Sequence, residues 1–536
     1  MAKSLSGLDA SFLYLETPEQ PMHVASLCVY EVPSELKRDF DADVVAHLKK
    51  RLHLAPIFTN VLAYQKYGLG HPHWEHADAV DFDYHVQHIA IPKPGTMRQL
   101  EAAVAKEHAR LLDRSQPLWQ FTVFSGLKTG EIGFYGKVHH AALDGKGGIV
   151  LANSILDLSA TPREVPPAIA RAAPPKTSMK IGEMIGAAFS NSLAQYAKIA
   201  KSLPSVAGAV AQAASPMLKK AMSNRTVPFN FAPRTPFNVN ISAKRSFSTA
   251  TLSFAETRAA AKVLGGSVND GVLFVCASAL RTYLKSHNAL PKKTLVAAMP
   301  VSLREESNKE LNNQASMVLA ELGTNHGDAA KRWTAILTST NKIKESLKSL
   351  KSVLPTDYPG LLAPLLVSRL NAAVASTKLM ERLPPVANVA ISNVPGPQVP
   401  LYLAGAQMKT FFPVSIITHG LALNITVQTY CGRIDFGIVA CKEAVPDLHD
   451  LATAISGGFD ELIALAEAKV ALEKERGEVL EIAANPQLPS VKAVAKPKAK
   501  PAAKRKPVAV TLRKPANKPT SKLTSKAPSA KKSRSV

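Results

Sequence analysis

Phe134-Tyr-Gly-Lys-Val-His-His-Ala-Ala-Leu-Asp-Gly-Lys-Gly-Gly148 reads as a strand, a pair of histidines, a tight turn and the opening of a helix. By the two-residue alternation of a pleated chain, Ile132, Phe134, Gly136 and Val138 share one face of the strand, and Tyr135 and Lys137 share the other. Carried on, the pleat puts His140 on the apolar face and His139 on the polar one. Asp144-Gly145 supplies the turn, with Gly145 avoiding a Cβ clash at the sharp reversal, and Lys146-Gly-Gly-Ile-Val-Leu opens the helix. An imidazole on an apolar face with a carboxylate four residues on is a candidate general base. A single histidine so placed is more often a satisfied core residue.

The arrangement His139-His140-x-x-x-Asp144-Gly145 is much rarer than a lone histidine. With it the chain resembles the CoA-dependent acyltransferase superfamily, which includes chloramphenicol acetyltransferase, carnitine acyltransferases and peptide-synthetase condensation domains. Within that group it looks most like the bacterial wax ester synthase/diacylglycerol acyltransferases. Leu5-Ser-Gly-Leu-Asp-Ala-Ser-Phe12, Pro21-Met-His-Val24, Pro117-Leu-Trp119, Asn269-Asp270, Pro300-Val-Ser-Leu-Arg304 and Ser392-Asn-Val-Pro-Gly396 follow in the order that family shows.

The resemblance implies an α/β (α+β) architecture of two chloramphenicol-acetyltransferase-like domains joined by a helical linker. It implies transfer of a fatty acyl group from acyl-CoA to diacylglycerol or a long-chain alcohol, with CoA in a tunnel between the two domains. Acyl-CoA is then a substrate, and no cofactor or metal is called for. His140 takes the role of general base, His139 that of positioning residue, Asp144 holds its loop by an ion pair, and Gly145 makes the turn. Asn269 is a candidate oxyanion donor, although Ser267-Val-Asn-Asp270 before an apolar helix suits N-capping equally well. Trp119 and Arg304 are candidate substrate-binding residues. Trp119 could instead belong to the core, and Arg304 to a salt bridge rather than a CoA phosphate. His139 to Asp144 also spells Hx4D, a motif of glycerolphosphate acyltransferases, but the second glycine-arginine motif of those enzymes is missing. The sequence offers no GxSxG elbow and no cysteine beside the histidines, consistent with a direct transfer that has no acyl-enzyme.

At 536 residues the chain has room for two or more domains, and 46% hydrophobic with 20% charged residues is ordinary for a globular protein. The net charge of +24 is unevenly placed: residues 491–536 hold 15 Lys or Arg and no acid. Four cysteines without framework spacing suggest a reducing compartment. No signal peptide and no run of apolar residues long enough to span a bilayer is evident, so a membrane would be met from its surface. The expected location is therefore cytoplasmic, at the inner membrane face or on lipid inclusions.

Residues 1–160 read as the first domain, with helical spacing over Asp41–His53 and Met97–Leu112 and strands over His23–Val32 and Phe121–Val138. His71, His73 and His76 cluster, but not at zinc spacing, and an exposed loop is the simpler reading. Residues 161–232 form a Pro-rich and then basic amphipathic linker, suited either to an anionic lipid surface or to bridging two domains. Residues 233–484 read as the second domain, with helices over Ala255–Leu264, Val268–His287 and Leu448–Ala483. Residues 485–536 are Lys/Pro/Ala-rich, cannot bury enough apolar surface to fold, and suit a polyanion such as nucleic acid or anionic lipid. Two other functions compete: condensation with a carrier-bound thioester, disfavoured because no carrier domain is present, and a basic granule- or nucleic-acid-binding scaffold, disfavoured by the intact histidine motif.

Overall fold

The computed structural model describes residues 5–35, 40–64, 71–143, 147–168, 231–302, 315–350, 381 and 383–484. In chain order they form α1 (Gly7–Leu15), β1 (His23–Glu31), α2 (Phe40–Lys49), β2 (Asn60–Ala63), β3 (His73–His76), α3 (Phe82–His85), β4 (Val86–Ala90), α4 (Met97–His108), β5 (Trp119–Ser125), β6 (Ile132–His139) and α5 (Gly147–Ile155). The second half contributes β7 (Arg245–Ser253), α6 (Phe254–Val263), α7 (Val268–Ser286), β8 (Val296–Ser302), β9 (Ala315–Glu321) and α8 (Ala329–Leu350). It continues with β10 (Val389–Val394), β11 (Tyr402–Leu403), β12 (Ala406–Val414), β13 (Leu423–Tyr430), β14 (Arg433–Cys441) and α9 (Leu448–Ala484).

Two six-stranded sheets organise these elements, with orders β11-β12-β1-β6-β5-β4 and β7-β14-β13-β10-β8-β9. The first sheet does not end where the first half of the chain ends. Strands β11 and β12 cross back from the second half, and β12 pairs antiparallel with β1 from Ala25↔Val414 to Glu31↔Gln407. A division of the chain at residue 233 therefore does not separate the sheets. The reason is local: β6 occupies one edge of β1, and β12 satisfies the backbone groups of the other. Where the sheets meet, Asp435 of β14 accepts the backbone N–H of Phe411 on β12 at 2.8 Å. Gly437 is required beside it, since a Cβ there would lie 1.6 Å from the Pro413 carbonyl oxygen. On α4, Glu101 accepts the backbone N–H and hydroxyl of Thr249, each at 2.7 Å, and so covers the edge strand β7.

Strand β6 forms where the alternation predicts it, but its second face is not exposed. Tyr135, Lys137 and His139 are all buried there, under the C-terminal end of α4. Lys137 survives burial because its Nζ donates to the carbonyls of Glu107 at 3.0 Å and Arg110 at 2.9 Å. A helix C-terminus offers free carbonyls and the negative end of its dipole. Burial still draws the Lys137 ammonium down to about 8, against the pull of the Glu107 charge. The polar face is thus a second, polar core. His108 Nδ1 meets the Tyr135 hydroxyl at 2.8 Å, and His23 Nε2 meets the His108 carbonyl at 2.7 Å.

The linker from 169 to 230 and the tail from 485 lie outside the described residues. Among the described residues no single helix is long and apolar enough to cross a membrane.

Candidate active site

At the end of β6 the chain leaves the sheet through a short 3₁₀ turn, His140–Ala142. Two backbone bonds fix the exit: His139 N–H donates to the Leu118 carbonyl at 3.0 Å and His140 N–H to that of Met22 at 2.8 Å. The side chains then part. His139 turns inward and is fully buried, and its Nδ1 caps the turn by accepting the Ala141 N–H at 3.1 Å. With Nδ1 an acceptor, the ring proton is on Nε2, which faces Glu16 Oε2 at 3.2 Å without ideal hydrogen-bond alignment. Both nitrogens of His139 therefore face protein groups.

His140 is arranged differently. Its ring stacks on Phe12, with centroids 3.9 Å apart and planes 16° from parallel. Its Nδ1 is sealed away; it lies toward its own backbone carbonyl without meeting hydrogen-bond geometry. The ring as a whole keeps some contact with solvent, and among the described residues Nε2 has no hydrogen-bond partner. Burial draws its pKa down to about 4; the backbone carbonyl opposes that shift and the neighbouring His139 adds to it. At neutral pH this imidazole is uncharged and has a lone pair to offer.

The second sheet supplies the other polar groups. β8, β10 and β13 run parallel, so Pro300-Val-Ser302 and Ser392-Asn-Val-Pro-Gly396 emerge at one end of it. Asn393 Nδ2 approaches Asn269 Oδ1 at 3.5 Å, joining two stretches 124 residues apart in sequence. Asn269 is not the helix cap. That task falls to Ser267 and Asp270, whose side chains reciprocate in a capping box at the start of α7. Gly396 is needed because a Cβ would lie 2.1 Å from the Thr429 carbonyl oxygen on β13.

Asp144, Gly145 and Arg304 lie outside the described residues. Trp119 is core rather than channel lining: it is fully buried, donates to the Phe58 carbonyl at 3.1 Å and stacks on His85 at 4.1 Å. The clustered histidines are engaged separately, His71 with the Tyr14 hydroxyl at 3.0 Å and His73 with Glu75 at 2.9 Å. A groove of about 1150 Å³ between β9 and α8 contains none of the motif residues.

Residues 5–272 match the wax ester synthase/diacylglycerol acyltransferase catalytic domain, and residues 311–463 match the C-terminal domain of the same family. The chain belongs to the wax ester synthase/diacylglycerol acyltransferase family. An O-acyltransferase WSD of Acinetobacter baylyi is 31% identical over 88% of this chain and 99% of its own length. A Mycobacterium tuberculosis protein named as a probable diacylglycerol O-acyltransferase is 33% identical over 85% of this chain and 97% of its own. The solved wax ester synthase/diacylglycerol acyltransferase of Marinobacter aquaeolei is 29% identical, with a TM-score of 0.61, over 87% of this chain and all of that one.

Against this family's histidine motif, one neighbouring residue stands out that the sequence reading passed over. Glu16 lies between two of the quoted motifs, with a side chain only 3% exposed. Burial would raise its pKa, but the contact with His139, the Met22 N–H and the Arg114 charge outweigh it, and the carboxyl ends below its ordinary value. The available signal was spacing: Glu16 follows Phe12 by four residues, one helical turn.

Proposed function

We propose that this O-acyltransferase joins a long-chain acyl group from acyl-CoA to diacylglycerol or a long-chain alcohol, in one direct transfer with His140 as general base. The observation that carries the mechanism is the unequal pair of histidines: one turns both nitrogens to protein groups, and the other presents an uncharged ring whose Nε2 has no hydrogen-bond partner among the described residues. As the acceptor oxygen bonds to the thioester carbonyl carbon, its proton passes to His140 Nε2. The tetrahedral intermediate then expels the sulfur, the C–S bond breaks, and the same proton moves from Nε2 to the thiolate. Ester and free CoA leave, and the imidazole is restored. Such a base is worth ~10²–10⁴ in rate. Asn269 is proposed to donate its amide to the oxyanion, with Asn393 holding the amide oxygen from behind. CoA is proposed to lie between the two sheets, whose ends carry these groups.

The basic composition of residues 178–225 and of the tail supports contact with an anionic lipid or lipid-inclusion surface. Purified protein given labelled palmitoyl-CoA with hexadecanol, or separately with diolein, is expected to form labelled ester with one CoA released per bond. A protein deleted for 485–536 is expected to esterify as well, since the tail lies outside both matched domains. Failure with both acceptors overturns the reading.

A further inference from the structure

Helix α1 carries the first of the sequence stretches noted above, Leu5 to Phe12, for which no task has yet emerged. The helix is capped by Ser6, whose hydroxyl accepts the Asp9 N–H at 3.1 Å, and it ends at Glu16, before Thr17-Pro18 turns the chain away. Its inner side packs Ala10 and Leu13 in one cluster with Leu118 and Ala141, so the helix rests on the turn that follows the histidines. From that seat Phe12 lies flat on the His140 ring and Glu16, one turn on, faces the His139 ring.

Among the described residues, every group directed at the Glu16 carboxylate is a donor. Arg114 Nε and Nη2 reach Oε1 at 3.1 and 2.9 Å, and the Met22 N–H reaches Oε2 at 3.1 Å, beside the His139 Nε2 contact. Arg114 also ties the helix end down through the Leu13 carbonyl at 2.7 Å. The Met22 peptide is therefore held from both sides: its N–H by Glu16, and its carbonyl by the His140 N–H. A carboxylate has two accepting oxygens and no proton of its own, so a glutamine here would turn an NH₂ toward a donor.

We infer that α1 is the positioning element of the histidine pair, with Phe12 fixing the plane of His140 and Glu16 fixing His139 and the strand end behind both. This rests on His140 being the base. Each acts through a histidine, Phe12 by stacking on the His140 ring and Glu16 by facing His139. Phe12 shields one face of His140 from water; among the described residues the titratable neighbour acting on that ring is His139, and Glu16 meets His139 rather than His140.

The test compares Phe12→Ala, Phe12→Tyr and Glu16→Gln in the full-length enzyme. kcat, KM for palmitoyl-CoA and the pH profile would be recorded alongside circular dichroism. A misplaced reacting group costs about 10²-fold, so Phe12→Ala and Glu16→Gln are expected to lose kcat on that order with KM nearly unchanged, while Phe12→Tyr recovers most of it. Opening the His140 ring to water relieves its burial, so in Phe12→Ala the acid limb of kcat/KM moves up from about 4 toward the ordinary histidine value. A residue that only stabilised the fold would leave that limb in place. If Glu16→Gln does not fold, Arg114→Lys decides, with the same loss of kcat expected from its missing fork. Folded variants with the parent kcat and acid limb overturn the inference. If His140→Ala is inactive in the same assays, that result would leave the base assignment standing.

Discussion

His140→Ala is expected to lower kcat by ~10²–10⁴ while KM for acyl-CoA stays near that of the parent. The size follows from the chemistry. An alcohol holds its proton at neutral pH, so bond formation to the thioester carbon must be accompanied by proton removal, and His140 Nε2 is the proposed acceptor. Stability should change little. The His140 side chain makes no hydrogen bond to a described residue, and the bond from its backbone N–H to Met22 is kept in alanine. His139→Ala should behave in the opposite way. It loses the cap on Ala141 and the contact with Glu16, so its melting temperature falls, while the base itself is intact and part of the rate survives. Thermal melts beside acyl-CoA turnover separate the two. Full activity in His140→Ala contradicts the assignment.

Asn269→Ala is the second large effect. Removing a single oxyanion donor typically costs ~10²–10³ in kcat, about 2.7–4 kcal/mol. The fold allows this to be read cleanly, because the cap and the proposed oxyanion contact sit on different residues. Asn393 holds the Asn269 side-chain oxygen, which turns the amide NH₂ the other way. The helix start is secured by Ser267 and Asp270. Asn269→Ala should therefore lose rate without losing melting temperature. Ser267→Ala should lose about 0.5–2 kcal/mol of stability with kcat kept. A normal kcat in Asn269→Ala removes it from the chemistry.

The strand was legible because a two-residue alternation runs directly into the histidines, whereas the Asp144-Gly145 turn lies outside the described residues. The family was legible for another reason: six short stretches kept their order. Three features were not. The sequence places Lys137 on the polar face of its strand but cannot show that the carbonyls at the end of α4 arrive above it. The crossing of β12 into the first sheet was hidden because a strand's pattern states which faces are buried but not which neighbour it pairs with. Glu16 was missed because a single acid near a helix end usually means a solvated cap; its four donors come from Arg114, Met22 and His139, which only the fold assembles. At Asn269 the structure assigns the cap to Ser267 and Asp270, and the donor role remains a proposal.

The pH dependence of kcat/KM tests the role of His140 most directly. In the free enzyme burial holds this ring uncharged down to about 4, well below the ordinary histidine value. The folded protein therefore binds fewer protons than the unfolded chain between that value and 6.5. Stability from His140, and from His108 with its pKa at about 3, is fully present above pH 6.5 and is lost as pH falls through the folded values. Circular dichroism must accompany the rates to keep unfolding apart from titration. While the protein remains folded, kcat/KM is predicted to stay level from pH 8 down through 6.5, with its acid limb near 4. An acid limb at 6.5 or above in folded protein contradicts the account.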